Sequence, residues 1–575
     1  VKALLTPAAC LLVATALAQG QSLTWNGSSS DWDINTTPNW SGDAPVYTDG
    51  ANVTFSTAGL TAVTIAAGGV GPGSTTFAGN AQNFTFTGDG ITAGSLTVEG
   101  GTQTFNNAAN TYAGATTVEN GTLVIGAASG MTATTATVNA GGTLAWTGSA
   151  NNTRYGDGNA LTLNGGTLSM AHVTAGQAIL ETIGNLNYSG GSRVLFDRTG
   201  TNADSQLVLQ ANPNRVGRGV LTLSLNSPTT LGTAANTRQW VTATGTAPAV
   251  TNGMVAPHHI LLDTVSYNAT FLTYGNTAVV GGRPTTSFTQ VSYTNAAAAG
   301  AMNTAGTTGN GTETWSVAAA SNTSGDVGPG SLLVQGDTKN LYALRTSRSL
   351  SSAGTMITLN SGGLILQTNT GVSGSPGLTL GANISWVLST GVEGVFYVSG
   401  NASGNSIHTI AGSIAGDNGL TIDGPATLSL AGNNTYRGDT TVHSAFTLAQ
   451  TGSLLFQHDS GALNKITGAG NVTLNGTFKL SLSNAIPEGN HLLVDVDTLT
   501  ESFGNGFSFG FDGGATFSQN ATVWTGASGG TSYSFDESTG ILSVSIPEPT
   551  GLVPLLTGLA FLSTRRRQGS AKSLR

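Results

Sequence analysis

The chain has 575 residues, of which 82 are glycine, and only 8% are charged. Lys and Arg total 19 against 28 Asp and Glu, a net charge of −9, so the basic patch that nucleic-acid binding needs is missing. Glycine keeps no Gly-X-Y period, which excludes collagen, and a chain rich in Gly, Thr, Ser and Asn argues against long helices.

The chain opens Val1-Lys2-Ala3-Leu4-Leu5, continues through the apolar Leu11-Leu12-Val13-Ala14-Thr15 and reaches Ala16-Leu17-Ala18-Gln19. One basic residue, a short apolar core and small residues at Ala16 and Ala18 make the pattern of a secretory signal peptide over residues 1–18, cut after Ala18. The apolar run falls short of the roughly 20 residues of a transmembrane anchor. Cys10, the one cysteine, lies inside this leader, so no disulfide or thiolate metal site is expected afterwards. Residues 19–87 are dense in aromatics, with Trp25, Trp32 and Trp40 close together. Such a segment caps the first coils of a repetitive sheet, whose open edge must be covered. The alternative is an exposed aromatic face for carbohydrate.

Residues 88–451 are short alternating runs punctuated by glycine, such as Ala136-Thr137-Val138-Asn139 and Leu161-Thr162-Leu163-Asn164-Gly165-Gly166. Alternation with period two is the half-buried strand signal, and the Asn-Gly and Gly-Gly steps supply tight turns. A longer self-match reinforces it. Leu96-Thr97-Val98-Glu99-Gly100 matches Leu420-Thr421-Ile422-Asp423-Gly424, and Asn110-Thr111-Tyr112-Ala113-Gly114-Ala115-Thr116-Thr117-Val118 matches Asn434-Thr435-Tyr436-Arg437-Gly438-Asp439-Thr440-Thr441-Val442. The two copies span about 88–126 and 412–450. They resemble the autotransporter-associated β-strand repeat, which implies an all-β fold: a right-handed parallel β-helix, or β-solenoid. The physics agrees, because one coil cannot bury its apolar face alone and coils must stack. Inward Val, Leu and Ile would form columns, and Thr and Asn would form ladders along the stack.

From about Thr451 the pattern changes, and short strands around 466–478, 491–496 and 533–544 predict a compact terminal β-domain over 452–545. The last segment reads Ile546-Pro547-Glu548-Pro549-Thr550, then an apolar stretch to Thr564, then Arg565-Arg566-Arg567. The apolar part is about 14 residues, roughly 21 Å as a helix, against a bilayer core of about 30 Å. Motif, apolar segment and basic stop, in that order, closely resemble the PEP-CTERM sorting signal of Gram-negative bacteria, here over 546–567. The resemblance implies a sorting helix in transient contact with the membrane, cleavage near Pro547-Glu548-Pro549 by an exosortase-type enzyme, and a cytoplasmic tail over 568–575. Pro554 inside the apolar run departs from a regular helix.

Catalytic motifs are poor. Gly506-Phe507-Ser508-Phe509-Gly510 matches G-x-S-x-G, but no helix start follows and no histidine follows His491. His258 and His259 are adjacent, and neighbours on a strand point to opposite faces, which disfavours a shared metal. Arg193, Asp197, Arg198 and Asp204, followed by Arg215 and Arg218, form a charged cluster expected to pair on a surface. The resulting expectation is a secreted, non-catalytic structural or adhesion protein of the cell envelope, outer surface or extracellular matrix of a Gram-negative bacterium. It needs no cofactor or metal, and its partners are the processing enzyme and exopolysaccharide or surface glycans. The rival readings are a polysaccharide-active β-helix enzyme, which would need paired carboxylates, and a glycan-binding module.

Overall fold

The computed structural model describes residues 20–546 except 127–128, 149–153, 173–178, 199–204, 227–230, 232–238, 277–285, 296–301, 303–307, 318–331, 369–376, 401–405 and 460. By contacts the chain forms two units. The first comprises Val1–Tyr188, Val194–Asn214 and Ala234–Ala247; the second comprises Ser189–Arg193, Arg215–Thr233 and Pro248–Arg575. Both are built of strands, and among the described residues the only α-helix is Leu499–Ser502. No helix among them is long and apolar enough to cross a membrane.

In the first unit, alternation becomes parallel stacking. One sheet runs from Ser22–Trp25 through Asn52–Phe55, Ser74–Phe77, Ser95–Val98, Thr116–Val118 and Ala136–Asn139 to Leu161–Asn164. A second runs from Asp31–Trp32 through Ala62–Ile65, Thr85–Gly88, Thr102–Phe105, Gly121–Ile125 and Gly142–Thr147. Neighbouring rungs pair in parallel, at sequence spacings such as 20 residues (Thr97 with Thr117) and 25 (Thr137 with Thr162), and wider at the first coil, where Ser22 meets Asn52. Every second residue points inward, so Phe55, Phe77, Val98, Val118, Val138 and Leu163 form one buried column. Aromatic rings stack along the core, Phe55 on Phe77 at 5.1 Å and Phe86 on Phe105 at 4.7 Å. At the start, Trp40–Gly42 lies antiparallel on Ser22–Trp25 and covers the first edge, as a cap should. Glycine makes the tight corners: Gly88 has φ +85°, and a Cβ there would lie 2.1 Å from the Ile65 carbonyl oxygen.

The second unit holds further parallel ladders. One includes Thr338–Thr346, Thr355–Gln367, Gly394–Ser399, Leu420–Asp423, Thr440–Val442, Ile466–Gly468 and Val494–Val496. Another includes Leu332–Val334, Leu350–Ser352, Thr379–Leu380, Ile407–Ile410, Thr427–Leu430, Ala445–Leu448 and Val472–Leu474. Two antiparallel pairings, His259–Asp263 with Ala269–Asn276 and the latter with Thr286–Gln290, interrupt the parallel pattern. Parallel stacking continues past residue 451, as Ile466–Gly468 and Val472–Leu474 extend the two ladders. An antiparallel five-stranded sheet closes the chain, in the order Gly489–Leu492, Ile541–Ser545, Thr531–Asp536, Val523–Ser528, Ser518–Asn520. The expected all-β architecture of long parallel sheets followed by a C-terminal sheet is thus present.

One face of the second unit is unusual. Ala343, Ile365, Val395 and Tyr397 form a second small core with Val220, Ile260, Leu262, Ala269 and Phe271. Val220–Leu225 and Gly394–Ser399 are in consequence buried at every residue rather than at alternate ones. A strand covered on both faces loses the polar alternation that a half-exposed strand keeps.

Candidate functional site

The two copies of the repeat build the same corner. Asn110 is 2% exposed; its Oδ1 accepts from the Ile91 N–H one coil earlier (2.9 Å) and from Asn107 Nδ2 (2.9 Å). Its Nδ2 donates to Ser129 Oγ one coil later (2.9 Å), and Ser129 Oγ donates back to Asn107 Oδ1 (3.0 Å). Asn434 is fully buried in the matching position. Its Oδ1 accepts from the Ile414 N–H (3.1 Å), and its Nδ2 donates to the carbonyls of Gly432 (2.9 Å) and Ser453 (3.1 Å). Two residues on, the tyrosine folds into the core with its hydroxyl against a threonine: Tyr112 with Thr116 at 2.8 Å, Tyr436 with Thr440 at 2.6 Å. Burial pushes both phenols well above their usual range. Each Asn-Thr-Tyr corner thus pairs buried polar groups of three successive coils, which otherwise would carry the cost of unpaired polar atoms.

The outward faces carry neutral hydroxyl columns. Thr24, Thr54, Thr76, Thr97, Thr117, Thr137 and Thr162 are in register along the first sheet. Thr379, Thr409, Ser429, Thr447 and Thr473 are likewise in register in the second unit, with Ser429 buried. Asparagines add a ladder, with Asn164 Nδ2 donating to Asn139 Oδ1 at 3.2 Å. Neutral side chains suit such columns, because like charges repeated every ~4.8 Å would repel.

The charged cluster is arranged differently from its sequence. Arg215 does not pair with its near neighbours. Its guanidinium grips Glu393, 178 residues away, with Nη1 at 2.8 Å and Nη2 at 3.0 Å. Arg218 reaches the same carboxylate at 3.8 Å and donates to Asn418 Oδ1 at 2.8 Å. The His443 ring meets the Arg218 carbonyl through Nε2 at 3.0 Å. Arg193 donates to Ser224 Oγ at 2.7 Å; the side chain of Arg198, and Asp204, lie outside the described residues. Burial alone would raise the Glu393 carboxyl, but Arg215, with help from Thr421 and Arg218, outweighs it and holds the carboxyl below its usual range. Glu393 was not visible as a partner in the sequence, since nothing local links it to Arg215. The other acid on this face, Asp423, is buried, and burial raises its carboxyl against the opposing effect of His443. Asp423 sits level with Tyr397, two residues beyond the Thr421 whose hydroxyl bonds the Glu393 carboxylate. The cluster is built as a clasp within the second unit.

Other candidates fall in place. Trp25, Trp32 and Trp40 are at most 2% exposed and pack edge-to-face, Trp25 on Trp40 at 5.1 Å and Trp32 on Trp40 at 5.5 Å. They are core residues of the cap, which corrects the reading of an exposed aromatic face: the flat indoles fill the first coil. Ser508 lies within the strand Ser508–Phe511, its Oγ 2.8 Å from Thr477 Oγ1, with no elbow. The His258 and His259 rings are not on opposite sides. His258 precedes the strand that His259 opens, and the rings stand 4.6 Å apart. Burial, with Arg215 nearby, pushes both imidazoles far below their usual range. The described residues contain no group of three or more His, Cys, Asp or Glu placed to hold a metal. Ala16, Ala18, Pro547, Glu548, Pro549, Arg565, Arg566 and Arg567 lie outside the described residues.

Comparison with protein families finds the passenger-associated-transport-repeat in two segments, residues 99–125 and 420–449. Each lies within one of the self-matching copies and includes its Asn-Thr-Tyr corner. No curated protein matches the chain.

Proposed function

We propose that the protein is an exported, non-catalytic surface scaffold of the passenger type. Its right-handed parallel β-solenoid serves as a stiff, charge-poor element of the cell envelope or of the surrounding polysaccharide, and it adheres through its neutral hydroxyl faces. The observation that carries this reading is the transport-associated repeat, present twice and built each time into the same buried corner. The leader over 1–18 supports export. The tail from Pro547 to Arg567 supports sorting by an exosortase-type enzyme, with the three arginines held on the cytoplasmic side by the positive-inside bias.

The test is deletion of Pro547 to Arg575 in the native host. The parent chain should lose its C-terminal residues, as read by intact mass, and be reached by protease added to whole cells. The deletion should leave no C-terminal processing and shift the protein away from the surface. Unchanged processing and location would refute the sorting role. A parent chain that resists external protease on intact cells, yet is cut in lysates, would refute surface display.

A further inference from the structure

The coils of this protein are nearly interchangeable. Leu96-Thr97-Val98, Thr116-Thr117-Val118 and Ala136-Thr137-Val138 occupy successive rungs of one sheet and present the same inward-outward pattern. Leu420-Thr421-Ile422 and Thr440-Thr441-Val442 likewise occupy successive rungs in the second unit, there buried at all three positions. Apolar columns reward any coil that stacks, whichever coil it is, so a rung could be skipped with its loop extruded at small cost in packing. The hydrophobic pattern fixes which residues of a rung face inward, but it does not tell one rung from the next. Something else must select the order.

We propose that Asn110 and Asn434 are the register keys of their respective units, choosing which coil stacks on which. Three observations carry this. Each side chain bonds the coil before and the coil after: Ile91 and Ser129 for Asn110, Ile414 and Ser453 for Asn434. Each is buried, so a skipped rung would leave the amide facing apolar columns without partners, a heavy penalty that the apolar residues do not impose. And the two lie in different units, Asn110 in the first and Asn434 in the second. The key at Asn110 is the more elaborate, because Asn107 and Ser129 close a ring of bonds with it, and Asn107 Nδ2 reaches back to the Asp89 carbonyl at 3.0 Å. A buried asparagine that fixes the register of otherwise permissive apolar seams has a parallel in coiled coils, where one polar core residue sets alignment at some expense of stability. The inference concerns assembly of the stack and stands whether or not the protein is exported.

The experiment measures the number of rungs between two fixed points. In the full-length chain with Cys10→Ser, spin labels are placed on cysteines substituted for Thr76 and Thr162, both outward and partly exposed. They are four rungs apart, about 19 Å, and bracket Asn110. A second pair replaces Thr379 and Thr473, also four rungs apart, and brackets Asn434. Pulsed dipolar spectroscopy of the parent should give one distance for each pair. Asn110→Leu, which keeps the size and removes the bonds, should add a second population at Thr76/Thr162 that is shorter by one spacing of ~4.8 Å, while Thr379/Thr473 is unchanged. Asn434→Leu should do the reverse. A single native distance in both variants would overturn the proposal. So would a broad, structureless distribution with loss of β-sheet circular dichroism, because the asparagine would then hold the stack together rather than select its register. Changes at both label pairs from one substitution would overturn the assignment of one key per unit.

Discussion

Lowering the pH from 7.5 to 4.5 should loosen the second unit around His408 by about 2 to 3 kcal/mol. His408 is fully buried on the strand Ile407–Ile410. Its Nδ1 accepts from the Leu378 N–H at 3.2 Å, and its Nε2 lies 3.0 Å from the Ser399 carbonyl. A carbonyl only accepts and an N–H only donates, so the two partners select the neutral tautomer with the proton on Nε2. A second proton would have to enter at Nδ1, against the Leu378 N–H and in a fully buried site. Burial therefore pushes the imidazole from 6.5 down to about 4, the Ser399 bond opposing only in part. The unfolded chain takes up the proton near 6.5 while the folded chain refuses it until about 4. Between these values stability falls as pH falls, and at pH 4.5 most of the roughly 2.5-unit gap has been felt, at ~1.4 kcal/mol per unit. Hydrogen exchange at Leu378 and Ile407–Ile410, corrected for intrinsic rates, should report opening favoured roughly 30- to 150-fold more at pH 4.5 than at 7.5. His408→Gln, which retains an acceptor and a donor without a titrating group, should remove most of that slope. Equal slopes in the parent and the Gln variant would show that His408 is not held neutral by the fold.

Three further substitutions probe the other features. Glu393→Gln leaves the mostly buried Arg215 without its counter-charge and should cost about 1–3 kcal/mol, measured by exchange across Gly394–Ser399. Because the folded Glu393 carboxyl titrates below its ordinary 4.5, its contribution is present above that value and lost as pH falls through the folded value, so the variant should show a shallower acid limb. Gly88→Ala demands a positive φ from an L-residue and drives Cβ onto the Ile65 carbonyl; because that contact is backbone, no rotamer relieves it, and a loss of at least about 2 kcal/mol in urea unfolding of the first unit is expected. Trp32→Ala should destabilise the cap by about 3–5 kcal/mol through the cavity it leaves, seen as early protease cutting within residues 20–60, and should leave any glycan binding per folded molecule unchanged.

What could be read from the sequence was what is local. Leu96-Thr97-Val98 announces a half-buried strand because its period of two is complete within three residues, and the repeat at Asn110 and Asn434 announces a shared corner because the motif is contiguous. The all-β class follows from such signals, and the parallel stacking is what the repeat's resemblance to a known β-helix repeat implies. The clasp does not. Arg215 and Glu393 are separated by 178 residues, and a charge pair across that distance leaves no trace in either neighbourhood. Local reasoning therefore assigned Arg215 to the acids beside it. Strands covered on both faces carry no local mark of it: only the small core that joins Val220 with Val395 and Tyr397 shows why every residue of Val220–Leu225 is buried. The tryptophans of the cap could have faced either way on composition alone, and their mutual packing decided it.

The short strand Trp40–Gly42 has a consequence for life at high local density. A parallel ladder ending in an open edge is a template on which a neighbouring molecule's own coil could be added in the same polarity, and then another, as fibres grow. Here the final strand runs the opposite way, is three residues long, and is flanked by Pro38 and Pro45, so an incoming copy meets reversed polarity and almost no length to copy. At this edge of the first sheet a further copy therefore finds little to extend.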